Sequence, residues 1–179
     1  AALSCALLCG PLVASSAHAL QCEKGQASLK LDSRGVLTNG REEGYTATVR
    51  GNPGLDYADI PEVSNVSSLN IYFTADSIPT VALPYTHKAS PERPCLYFSD
   101  RTLETESGVE VEVLAGGGAR TPHICFTTTT TRDAAFALDI YVSPARVLKI
   151  TNPRIYVQGK RKSDGTSFTL FDTNNACKE

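Results

Sequence analysis

Apolar and polar positions alternate along most of this chain. The clearest run lies at 136–142, where Phe136, Leu138, Ile140 and Val142 are apolar and Asp139 falls between them. A period of two over that length predicts a strand with one buried face. Just upstream, Cys125 leads into the β-branched run 127–131, which suits a pleated surface and not a helix. The whole stretch 123–142 is the one that the other apolar runs are expected to pair with or pack across.

The same alternation recurs in shorter pieces. Ala27, Leu29 and Leu31 form one set; Tyr45, Ala47 and Val49 a second; Leu69, Ile71 and Phe73 a third. Val109, Val111 and Val113 alternate with glutamates, and Ile155, Val157, Phe168 and Leu170 close the pattern. Residues 95–98 and 147–150 read as further strands. Residues 80–83 make a short strand flanked by Pro79 and Pro84, which predicts an edge because proline cannot donate to a ladder. Asn39-Gly40 and Asp164-Gly165 are hairpin signals. The glycine triplet 116–118 has no Lys-Ser/Thr and no helix pattern after it, so it reads as a turn and not as a phosphate loop.

Two stretches break the pattern. Residues 51–66 carry two glycines, two prolines, Asp56, Asp59, Glu62 and Tyr57, and predict a long ordered loop with room for one helical turn. Its acids lack EF-hand spacing. Residues 85–94 predict a proline-bracketed loop that contains Tyr85, His87 and Lys88. About ten short strands, regular turn signals and no convincing helix predict an all-β fold. The expected architecture is an immunoglobulin-like or jelly-roll β-sandwich, without the tryptophan core of an antibody domain, since the chain has no Trp.

The first nineteen residues change the picture. Residues 1–19 are uncharged, mostly apolar from 3 to 13, and end in Ala17-His18-Ala19. That is the apolar region and small-x-small site of a secretory signal peptide. It is too short for a span of about 20 residues. Residues 20–179 then form a single β-sandwich domain of about 160 residues, within the ordinary range. The expected location is secreted: extracellular, or periplasmic in a Gram-negative bacterium.

Cys22, Cys95, Cys125 and Cys177 lie beyond the signal. Four cysteines in a secreted chain predict two disulfides. Cys95 neighbours Leu96 and Phe98 at odd spacing, and Cys125 lies between Ile124 and Phe126. Both therefore point away from the apolar faces of their strands, which favours pairing them with each other and leaves Cys22 for Cys177. The cysteines are too scattered for a zinc site of the C-x-x-C type, and no metal or cofactor is expected.

A net charge of −2 points to neither nucleic acid nor an anionic membrane surface. No G-x-S-x-G or C-x-x-C motif is present. His123 with Asp139 and a threonine hydroxyl is a conceivable catalytic set that nothing else singles out, so no catalytic residue is assigned. Two functional readings remain. The first is a non-catalytic structural or assembly subunit at the cell surface, able to self-associate. The second is a ligand-binding module for protein or carbohydrate, using loops 51–66 and 85–94 with Tyr57, Tyr85 and His87. A small secreted hydrolase has no positive support. The tripeptide Asn65-Val66-Ser67 is a glycosylation sequon.

Overall fold

The computed structural model describes residues 20–34, 44–60, 65–104, 108, 110–116, 121–129, 133–143 and 150–178. The signal-peptide segment, the Asn39-Gly40 hairpin, most of the glycine triplet, Glu62 and residues 147–149 lie outside them.

Among the described residues, eleven strands form a nearly closed antiparallel sheet. They are β1 Ala27–Arg34, β2 Gly44–Gly51, β3 Val66–Ala75, β4 Ile78–Lys88, β5 Cys95–Phe98, β6 Arg101–Glu104, β7 Glu110–Ala115, β8 His123–Phe126, β9 Ala134–Ser143, β10 Arg154–Arg161 and β11 Ser167–Asp172. The path across the sheet is β1-β2-β9-β8-β5-β4-β3-β10-β11, with β6 paired to β7 and β7 to β9. A 3-10 turn lies at Tyr57–Asp59, inside the loop where one turn was expected.

Strand β9 is the hub. One edge pairs with β2 from Ala134 to Tyr141; the other meets β8 at Ala134 and Ala135 and then β7 from Leu138 to Ser143. Its alternating residues Phe136, Leu138, Ile140 and Val142 are buried, as period two requires. The described threonines of the run, Thr127 to Thr129, lie outside the strands, contrary to expectation. Strand β8 stops at Phe126, and Thr127 turns back through N–H···O=C to Asp133 at 3.1 Å. Threonine hydroxyls compete for local backbone partners, and Thr127 Oγ1 reaches the same carbonyl at 3.5 Å.

Strand β4 is the corner. Its first half pairs only with β3, as far as Asn70↔Pro84; its second half pairs only with β5, from Tyr85↔Phe98. Each half is an edge, so Pro79 and Pro84 leave no ladder donor missing. Pro84 still contributes its carbonyl, which accepts from Ser99 N at 2.8 Å. The strand therefore runs on to Lys88, and Tyr85 and His87 lie within it and not in the expected loop.

The two ends of the sheet approach each other. Asp172 N donates to Gly25 O and Ala27 N to Asn175 O, each at 3.1 Å. Beside this seam Cys22 is bonded to Cys177, while Cys95 is bonded to Cys125 across directly opposed positions of β5 and β8. Leu96, Phe98, Ile124 and Phe126 fill the core behind the second bridge. A shift in register between β10 and β11 sets Val157 opposite Phe171 and Gln158 opposite Thr169. Leu170 is the extra residue of that bulge, so Leu170 and Phe171 are both buried although they are adjacent.

A bidentate ion pair also holds this end. Arg154 Nε and Nη2 donate to the two carboxylate oxygens of Asp172 at 3.0 and 2.5 Å. The guanidinium holds the Asp172 carboxyl below the ordinary aspartate range. A depressed carboxyl stabilises the fold above its unfolded pKa of about 3.9 and loses that contribution as pH falls toward the folded value. Asp172→Asn is expected to cost about 1–2 kcal/mol at neutral pH for a partly exposed bidentate pair. The gap between variant and parent should narrow below about pH 4 in urea titrations. A gap that widened in acid would contradict the pairing.

Candidate functional site

The residues singled out by sequence go to three different environments. Tyr57 is buried at 1% exposure. Its hydroxyl donates to the Ala89 carbonyl and lies 3.4 Å from that of Cys95, and its ring meets Phe126 at 5.5 Å. Lys88 Nζ sits 4.6 Å from the ring centroid and donates to Ile60 O at 3.0 Å. This residue ties the 51–60 loop to the end of β4. Tyr85 packs its half-buried ring on Phe98 at 5.8 Å. His87 is exposed on the outer face of the sheet.

Tyr85 and His87 are two positions apart and would share a face in a regular strand. The ladder slips between them: Tyr85 pairs with Phe98, and His87 with Tyr97. Phe98 faces the core and Tyr97 faces out, so the bulge at Thr86 sends Tyr85 inward and His87 outward. Re-aiming a side chain is a common consequence of a bulge.

On the outer face His87 joins a row. The register His87↔Tyr97↔His123 runs straight across β4, β5 and β8. His87 and Tyr97 stack at 4.7 Å with planes 1° apart, and Tyr97 and His123 at 5.4 Å with planes 29° apart. The first spacing equals the distance between neighbouring strands, about 4.8 Å. The rings therefore stand upright in file and present their edges to solvent.

Hydrogen bonds fix both imidazole tautomers. The Thr121 carbonyl can only accept, and it lies 2.7 Å from His123 Nδ1, so that nitrogen carries a proton. Thr86 Oγ1 gives its one proton to Tyr97 O at 3.1 Å, so at 3.0 Å it must accept from His87 Nδ1. In the neutral rings each Nε2 keeps its lone pair, with no partner among the described residues. The outer edge thus offers acceptor, phenol, acceptor. The two imidazoles are two strand spacings apart, roughly 10 Å, too far for one metal ion with bonds of about 2 Å. Among the described residues no group of three His, Cys, Asp or Glu could hold a metal ion.

His123 and Asp139 are not brought together as a catalytic pair. His123 Nδ1 is committed to Thr121, and Asp139, 6% exposed, accepts from Thr46 Oγ1 at 2.8 Å. Tyr97 was missed from sequence. The signal was present: Tyr97 and His123 each stand two residues from a cysteine, on the strand face that the apolar neighbours leave free.

No family model, curated protein or solved structure matches the chain. Its class is therefore defined by its own geometry: a nearly all-β protein with a nearly closed antiparallel sheet and two disulfides. Among the described residues no helix is long and apolar enough to cross a membrane. Two disulfides are compatible with an oxidising location outside the cytosol.

Proposed function

We propose that this chain is a secreted, non-catalytic β-sandwich that binds a protein or carbohydrate at the cell surface through the His87–Tyr97–His123 row. The observation that carries the reading is the pair of outward Nε2 acceptors held rigid on either side of Tyr97. Fixed tautomers and stacked rings present hydrogen-bonding edges whose geometry is set before a ligand arrives, which lowers the entropy lost on binding. The reading keeps His87 but moves the site to a sheet face, and it leaves out Tyr57 and Tyr85, which pack on Phe126 and Phe98.

The structural or assembly-subunit reading is the alternative. Self-association by strand addition needs a long free edge. Here β1 meets the β11 side only at its start, through Gly25–Asp172 and Ala27–Asn175, and from Ser28 to Arg34 it has a ladder with β2 alone among the described residues, so that edge is the place where a second chain could add. Light scattering separates the two roles: filaments or oligomers would favour assembly, and a monomer would favour binding.

The binding role is tested with fluorescently labelled protein on the cells that produce it. His87→Ala with His123→Ala should weaken binding about tenfold or more. The loss of stability should stay below about 1 kcal/mol per exposed cross-strand pair. Equal binding by parent and double variant would remove this row as the site.

A further inference from the structure

A second outer surface, on the opposite arm of the β4 corner, is built for a different kind of contact. Strand β10 runs between β3 and β11, with Tyr156 opposite Tyr72 and Asp172, and Gln158 opposite Asn70 and Thr169. Outward positions on these strands all carry hydrogen-bonding side chains: Thr74, Tyr72, Asn70 and Ser68 along β3, and Arg154, Tyr156, Gln158 and Lys160 along β10. Six residues of strand give this face a length of roughly 20 Å, the reach of about four linked sugar rings.

The aromatic centre is asymmetric. Tyr72 and Tyr156 stack at 4.8 Å with planes 14° apart, and the Arg154 guanidinium lies 4.3 Å from the Tyr156 centroid. Both faces of Tyr156 are thereby engaged. The Tyr72 hydroxyl accepts from Asn70 Nδ2 at 3.1 Å, and Tyr72 has Tyr156 on one side and the small residue Ala82 as its ladder partner in β4 on the other. A sugar ring can lay its C–H face there.

Charge is asymmetric too. Arg154 is neutralised by Asp172. Lys160, at the other end, is exposed and has no carboxylate partner among the described residues. It borders a shallow groove with Ser68, Tyr72, Gln158 and Ser167. The groove's hydroxyls, amide and ammonium can all donate, which suits a carboxylate.

We propose that the β3–β10–β11 face binds a linear saccharide containing uronic acid, with a sugar ring against Tyr72 and a carboxylate in the groove beside Lys160. The site is separate from the histidine row and does not depend on it.

The test is titration of the purified, disulfide-bonded protein with tetragalacturonate, followed by amide chemical shifts, with the fully methyl-esterified tetramer as the uncharged comparator. Saturable binding is expected, with shifts centred on β3 and β10. The ester should bind at least tenfold more weakly, and Lys160→Gln should reproduce that loss. Gln158→Ala, on the same exposed face, should weaken binding while leaving the fold intact, which covers the case in which Tyr72→Ala fails to fold. Absence of saturable binding overturns the proposal. So does equal binding of acid and ester, or indifference to both Lys160→Gln and Gln158→Ala. Shifts confined to β4, β5 and β8 also overturn it, and would leave the histidine row standing as the binding surface.

Discussion

Replacing Cys22 and Cys177 together by serine is expected to lower the unfolding free energy by about 5 kcal/mol on the chain-entropy model. The bridge spans 155 residues of sequence, so it removes most of the freedom of the unfolded chain. The Cys95–Cys125 bridge spans 30, and the same model gives it about 4 kcal/mol. Either value is large beside the roughly 5–15 kcal/mol by which domains are stable. The first bridge carries a second consequence because it flanks the seam between the two ends of the sheet. Without it, the Gly25–Asp172 and Ala27–Asn175 hydrogen bonds have no covalent support. Urea denaturation of the two serine pairs beside the parent measures both effects. A loss under about 1 kcal/mol for the Cys22–Cys177 pair would show that unfolded-state restriction is not what this bridge supplies.

The second large effect is at Tyr57. Tyr57→Ala removes a fully buried aromatic ring from between Phe126 and the Lys88 ammonium, and about 3–5 kcal/mol should be lost. Tyr57→Phe keeps the ring and removes the hydroxyl donor to the Ala89 carbonyl, at about 1–2 kcal/mol. The pair of variants separates support from recognition. If Tyr57 acted on a ligand, Tyr57→Phe would impair binding at unchanged stability. The structure leads us to expect the opposite, a stability loss with binding retained in the folded fraction.

Parity explains what was legible in the sequence. Phe136 to Val142, Ile71 and Phe73, and Val111 and Val113 announce their buried faces because β period two survives in each of them. The same count put Cys95 and Cys125 on matching faces, and they are bonded. Parity failed wherever a ladder slipped. At Thr86 the bulge separates Tyr85 from His87, and at Leu170 it buries two consecutive side chains. An extra residue in one strand is specified by both partners, so neither strand's own sequence reveals it. Prolines misled for a related reason. Pro84 marks an edge, but the strand continues because it changes partner there. The histidine row needed the order of three strands, and that order is set by long-range pairing which spacing along one chain cannot express.

The join between Cys22 and Cys177 also decides how the molecule carries a mechanical load. Gln21 and Lys178 exchange hydrogen bonds just outside the bridge, so both ends of the described chain leave at one pole. Tension applied through those ends passes from one cysteine to the other through the sulfur–sulfur bond. None of it reaches the eleven strands. Pulled this way, the protein is an inextensible link whose surfaces keep their shape under force, until a reductant opens the bridge and lets the sheet unravel from the β1 and β11 sides.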